Sequence, residues 1–395
     1  MPGLSSRLTG MNDGGSDGWE VFYRARALVA SGQPVTELTI GEHDISTDAR
    51  ILDALDAAAR GGHTGYAMVP GVDALRDAIA ARVQDRTGVA TGRDNVLVTP
   101  GGQSALFSAH MAACAPGDTA LFIDPFYATY PGTIRAASAI ARPVSTRAAT
   151  GFLPDPATVA RLARETGAKS LLINTPNNPT GAVYPEETLR GLASVCVEHD
   201  LWLISDEVYD TQVWSGTHLS PRALPGMAAR TMVIGSMSKS HAMTGSRIGW
   251  IVAPEPAIAA LIDLATATTY GVPGYIQDAA LFALTDDTAL ETRVAAPFRR
   301  RRDLVLDRLS RQSIVTAIPA QGAMYLMLDI RATGLSGRAF AEALLDAHHI
   351  AVMPGESFGT SAAGHLRVAL TVEDSRLSDA IDTLCAFAAR HACAA

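Results

Sequence analysis

Apolar positions along the chain follow two spacings. Short, near-continuous apolar runs read as strands buried on both faces. They are NVLVT (95–99), TALFI (119–123), AKSLLIN (168–174), LWLISD (201–206), TMVIGS (231–236) and GWIVA (249–253). VTELTI (35–40) reads as a shorter strand. Helical periodicity marks ARILDALDAAAR (49–60), VDALRDAIAARVQDR (72–86) and SALFSAHMAAC (104–114), the last entered through a PGGQ turn. Strands separated by helices predict an α/β fold with a mainly parallel sheet. After residue 273 the pattern changes. A long helical region ends in FRRRRDLVLDRL (298–309). GAMYLMLDI (322–330), a helix near 337–347, IAVM (350–353), HLRVAL (365–370) and a terminal helix follow. This reads as a smaller α+β unit, onto which the first 45 residues pack. The arginine run at 299–302 reads as a solvated helix face rather than a phosphate site.

Composition narrows the class. Of 395 residues, 48% are hydrophobic and 18% charged, enough to bury a sizeable core and the reverse of a disordered chain. The formal charge of −8, without a basic stripe, argues against nucleic acid or an anionic membrane as partner. No apolar run approaches the roughly 20 residues of a membrane span. The polar, Gly-rich start lacks the apolar stretch of a signal peptide. Cys114, Cys196, Cys385 and Cys393 show neither CxxC pairing nor metal-ligand spacing, so no metal and a reduced, cytoplasmic setting are expected. Lysine is the informative residue. Lys and Arg total 32, yet only Lys169 and Lys239 are lysines. A lysine kept in a chain that otherwise uses arginine marks a place for amine chemistry that guanidinium cannot supply.

Four segments fall at strand ends, where open α/β sheets hold their ligands: TPGGQSAL (99–106), NTPNNPTG (174–181), SDEVYD (205–210) and SMSKSHAMTGSRIGW (236–250). The glycines of TPGGQ let backbone approach an anion at a helix N-terminus. It is not a P-loop, because no GxxxxGK[ST] occurs. Asp206 ends an apolar run, where an acid is costly unless paired. Lys239 and Arg247 facing one anionic site would lower the lysine pKa and favour a nucleophilic amine.

These segments, with GEHD (41–44), TGYAMVPGVDALRDAIA (64–80), DPFYATYP (124–131), GAMY (322–325), MPGESFG (353–359) and HLRVAL, occur in the order found in one family. From about residue 35 to about 370 the chain resembles the fold type I, pyridoxal-phosphate-dependent class I/II aminotransferases. The resemblance implies a mainly parallel seven-stranded sheet in a large cofactor-binding domain, residues 46–290. Both chain ends, 1–45 plus 291–395, would form a smaller α+β domain. It implies transfer of an amino group from an L-amino acid to a 2-oxo acid through a pyridoxal 5′-phosphate Schiff base.

The resemblance also implies roles. Lys239 matches the Schiff-base lysine, which then moves the proton at the substrate α-carbon. Asp206 matches the acid that keeps the pyridine nitrogen protonated. Tyr209 and Asn178 match the partners of the ring 3-oxygen. Tyr127 and Val208 match the groups on either face of the ring. Gly102, Gln103, Ser236 and Arg247 match the phosphate cradle. Arg367 matches the arginine that grips the substrate α-carboxylate, helped by Gly41 and Asn178. Tyr66 matches a tyrosine that reaches the neighbouring subunit's phosphate, which makes the protein a homodimer. Two departures leave the substrate open. His43 stands where proline is common, near the expected substrate entrance, with Ile45 where an aromatic is common. Gln103 is neutral where some aspartate-preferring relatives carry lysine.

Other readings are weaker. SMSK (236–239) fits SxxK, but no KTG exists in a chain with two lysines. GESFG (355–359) fits GxSxG but leaves no room for the later acid and histidine. A regulator built on this fold would need a longer N-terminal segment than the 40 or so residues here. The serious alternative is a C–S β-lyase or another eliminating or decarboxylating enzyme on the same scaffold.

Overall fold

A computed structural model describes residues 2–15, 18–286 and 289–392. Strands are numbered along the chain. The first short run forms β1, Thr36–Leu38. The next runs form β2 (Val96–Thr99), β3 (Thr119–Asp124), β4 (Ile140–Ser145), β5 (Ser170–Asn174), β6 (Trp202–Asp206), β7 (Thr231–Ser236) and β8 (Gly249–Val252). These seven, β2 to β8, make one sheet in the order β2-β8-β7-β6-β5-β3-β4. Only β8 runs against its neighbours. Residues of β2, β3, β5, β7 and β8 are buried throughout, as their unbroken apolar runs predict. β4 was not among the predicted strands. It sits at the sheet edge, mostly exposed, and carries Pro143, which an edge strand tolerates.

The later runs form β9 (Thr316–Ala317), β10 (Tyr325–Asp329), β11 (Ile350–Pro354) and β12 (His365–Ala369). With β1 they make a second sheet, β1-β11-β12-β10-β9, parallel only between β1 and β11. GAMY enters its strand late because Ala323 adopts a positive φ of 59°. A separate apolar cluster covers this sheet, including Leu38, Phe298, Phe340, Leu366 and Leu384. The predicted helices form at Ala49–Arg60, Asp73–Thr87, Gly101–Ala113, Leu290–Leu309, Gly337–His348 and Asp374–His391.

The arginine run departs from its prediction. Arg299 is exposed and Arg300 pairs with Asp374, but Arg301 is only 4% exposed. Its guanidinium holds Asp44 at 2.6 Å and Asp374 at 3.0 Å and donates to the Leu370 carbonyl. It joins the segment after β1 to the terminal helix. No helix among the described residues is long and apolar enough to cross a membrane, and no cluster there could hold a metal. Cys114, Cys196 and Cys385 are free, and Cys393 lies outside the described residues.

Candidate active site

Parallel strands expose their last residues at one edge of a sheet, and the chain loads that edge with polar groups. β5 ends on Asn174, β6 on Asp206 in register with it, and β7 on Ser236. A cavity of about 270 Å³ opens there, between this edge and the second sheet. It is lined by Gly41, Gly102, Gln103, Tyr127, Asn178, Asp206, Val208, Tyr209, Ser236, Lys239, Arg247 and Arg367. These are all the expected site residues except Tyr66. Tyr66 is 92% exposed and stacks edge-on against Tyr270 at 5.2 Å, away from this cavity.

Local sequence explains how each group is aimed. Ser236 caps the short helix Met237–Ser240, its hydroxyl accepting from the Ser238 amide at 3.1 Å. That turn lifts Lys239 off the end of β7 into the cavity. Its Nζ donates to the Gly41 carbonyl, and it forms no ion pair among the described residues. Burial lowers the Lys239 pKa, and the cations Arg367 and Arg247 add to this against Tyr325 and Glu42. Lys169, the other lysine, is exposed ahead of β5. Gly101 opens the helix Gly101–Ala113 with φ +78°, and a Cβ there would lie 2.4 Å from the Arg247 guanidinium. Only glycine lets Arg247 close on this helix N-terminus. Ser236, Arg247 and free helix N–H groups thus converge on one anion-sized corner.

Asp206 lies at the opposite side of the floor. Tyr130 donates to its Oδ2 at 2.6 Å, and the Val208 amide donates to Oδ1 at 3.3 Å. Burial pushes its pKa up to about 6. Tyr209 and Tyr325 share a hydrogen bond at 3.1 Å. Burial pushes the Tyr127 hydroxyl up to about 12.

Arg367 comes from β12. It is 1% exposed and sandwiched between the Tyr325 and Phe358 rings, at 4.5 and 4.3 Å. It donates to Asn178 Oδ1 at 2.9 Å and to the Thr39 carbonyl, while its Nε has no partner. No carboxylate pairs with it among the described residues. A buried guanidinium without a counter-ion is costly, which makes this a site for an anion.

One expectation needs correction, and one rejected reading stays rejected. His43 does not stand at the substrate entrance. Its Nε2 meets the Lys239 carbonyl oxygen at 3.0 Å and its ring packs on Phe298, behind the lysine. Burial and then Lys239 push its pKa down to about 4. Ser357 is no nucleophile elbow, because it sits in the 3-10 turn Gly355–Phe358 rather than opening a helix. The sequence reading also passed over Tyr130, Asn174 and Tyr325, all inside quoted motifs but without assigned roles.

The residues fit the cofactor implied by the resemblance. Three cations, Lys239, Arg247 and Arg367, line the cavity without a carboxylate partner among the described residues, against the acids Asp206 and Glu42. A phosphate and a carboxylate would satisfy that excess. A ring laid between Tyr127 and Val208 would meet a buried acid that lacks a cation.

Known proteins share this sequence pattern and fold. The family described as "Aminotransferase class I and II" matches residues 33–384. An arginine–pyruvate transaminase from Pseudomonas aeruginosa is 42% identical over 366 residues, 93% of each chain. An aspartate/prephenate aminotransferase from Thermus thermophilus is 35% identical, over 97% of this chain and 98% of that one. The solved aspartate aminotransferase of Thermus thermophilus with maleate matches at TM-score 0.91 and 34% identity, covering 98% and 100% of the two chains. Relatives named as transaminases remove the case for a lyase as the first reading. The chain belongs to the class I and II aminotransferases, and it is a pyridoxal-phosphate-dependent transaminase.

Proposed function

We propose that this transaminase takes its amino group from an amino acid with a basic side chain and passes it to pyruvate. The observation that carries this is the charge left in the cavity once its groups are assigned. Lys239 serves the amine chemistry, Arg247 the phosphate, Arg367 the α-carboxylate and Asp206 the ring nitrogen. Glu42 remains, beside Thr244 at 3.5 Å. Nearby Arg135 and Arg338 already pair with Asp13 and Glu20. An acid without a spare cation suits a cationic side chain and disfavours a second carboxylate. The arginine–pyruvate transaminase at 42% identity supports the same choice. With pyruvate as acceptor, kcat/KM for L-arginine should exceed that for L-aspartate by roughly tenfold or more, about 1.4 kcal/mol. A preference for L-aspartate would overturn the proposal.

Pyridoxal phosphate supplies an aldehyde that captures amines and a ring that accepts an electron pair. The chain's own residues do the rest. Lys239, with its pKa lowered, holds and returns the proton at the substrate α-carbon. Arg367 and Asn178, with Gly41, orient the α-carboxylate. Gly41 leaves room for the Tyr325 hydroxyl, which a Cβ there would approach to 1.7 Å. Tyr209 and Asn178 serve the ring 3-oxygen, Tyr127 and Val208 its faces. Gly102, Gln103, Ser236 and Arg247 hold the phosphate.

The assembly we propose is a homodimer in which Tyr66 completes the partner's phosphate site. Tyr66, Met68 at 66% and Tyr270 at 53% exposure support it, as an apolar surface that isolated chains rarely keep. We divide the chain into a large domain, 46–290, and a small one from 1–45 plus 291–395, on the support of their separate sheets. Free cysteines support a cytoplasmic setting.

A further inference from the structure

The hydroxyl of Tyr130 has one partner in the described structure, the Asp206 carboxylate. Tyr130 is 3% exposed, so water does not compete for it. Its O···O distance of 2.6 Å is that of a hydroxyl donating to an ionised carboxylate. The phenol itself stays protonated, because burial and then Asp206 hold its pKa well above the usual value. The backbone ties Tyr130 to the ring-facing Tyr127: its amide donates to the Tyr127 carbonyl at 2.9 Å, and the two rings meet edge-on at 5.7 Å. One turn therefore presents an aromatic face to the cavity and a donor to its acid. From the other side, Asn174 Nδ2 donates to the Asp206 carbonyl at 2.9 Å and Asn174 Oδ1 accepts from the Asn178 amide at 2.7 Å. The backbone of Asp206 is fixed by Asn174 and its carboxylate by Tyr130.

An acid so buried tends toward its neutral form, which could not hold a protonated ring nitrogen. A donor on one oxygen favours the ionised form, and the other oxygen, which accepts only the longer bond from the Val208 amide at 3.3 Å, keeps a lone pair for the cavity. We propose that Tyr130 is a positioning residue, whose hydroxyl keeps the Asp206 carboxylate ionised and in one orientation toward the cofactor's ring nitrogen. The inference rests on the assignment of Asp206 to that nitrogen.

Tyr130→Phe removes the hydroxyl and keeps the ring. In the holoenzyme the cofactor dissociation constant should rise about tenfold. kcat should fall by about as much, with the donor KM unchanged within about twofold. The acid limb of cofactor affinity against pH should move upward by about one unit, since the acid then protonates more readily. Asp206→Asn, measured in parallel, separates the two claims. Wild-type cofactor affinity in that variant would defeat the assignment of Asp206 and leave Tyr130 with no acid to serve. If Asp206→Asn weakens binding, adding Tyr130→Phe should cost nothing further. Unchanged affinity and pH profile in Tyr130→Phe, or the same loss in both backgrounds, would overturn the proposal. Should Tyr130→Phe not fold, Tyr130→His keeps a ring donor: it should bind the cofactor more tightly than Tyr130→Leu, and equal affinity would overturn the proposal.

Discussion

At the scale of residues the site turns on cations placed without counter-ions. Arg367 is the clearest. Its guanidinium is buried between two rings and meets only amide and carbonyl oxygens. Arg367→Ala should cost about 3 kcal/mol in kcat/KM, roughly a hundredfold, because a desolvated charge pair to the substrate is lost. Steady-state kinetics with a good donor check this, and an unaffected KM would move the carboxylate site elsewhere. Most of these residues could be read from the sequence, since motif order fixes which side chain stands at which strand end. Tyr130 and Tyr325 could not be read that way. Their roles come from hydrogen bonds to groups 76 and 116 residues away, which no local spacing encodes. His43 misled for the same reason: its neighbours are Lys239 and Phe298, distant in sequence.

At the scale of elements, the strands buried on both faces were legible because burial on two sides demands an unbroken apolar run. β4 was not, since an edge strand is held by backbone bonds and needs no such run. The helix Leu290–Leu309 shows the limit of a local charge pattern. Four consecutive arginines suggest a wet face, yet the 100° step of a helix turns Arg301 inward, onto Asp44 and Asp374. Arg301→Met removes the cation and leaves two partly exposed acids. It should lower stability by about 2 kcal/mol, less than for a fully buried pair because water can reach both acids. Thermal unfolding beside Arg299→Met, whose residue is exposed, checks this: only the Arg301 change should lower the melting temperature.

At the scale of the whole molecule, buried histidines set the response to acid. His110 and His241 are 0% and 1% exposed, and burial pushes both pKa values down to about 4. The unfolded chain binds their protons from about pH 6.5, so stability is full above that pH and is lost as pH falls toward 4. Asp206 acts oppositely in the cofactor-free protein. Its folded pKa of about 6 lies above the unfolded value, so it contributes stability at low pH that is lost as pH rises through 6. His43, also pushed down to about 4, adds to them, and three histidines outweigh one aspartate. The net loss between pH 7.5 and 5 should be about 4–5 kcal/mol, read as a lower urea midpoint. A flat midpoint would mean that these rings are hydrated in the native state. The exposed patch around Tyr66 belongs to the same scale. Sedimentation should give twice the chain mass, and Tyr66→Phe should weaken cofactor binding without splitting the dimer.

The central claim is that Lys239 carries the cofactor, and the scarcity of lysine makes the direct test clean. Borohydride reduction of the yellow holoenzyme should fix the cofactor to one lysine, and peptide mapping then has two to choose from. Label on Lys239 alone is the expected result. Label on Lys169, or none on either, would contradict the account.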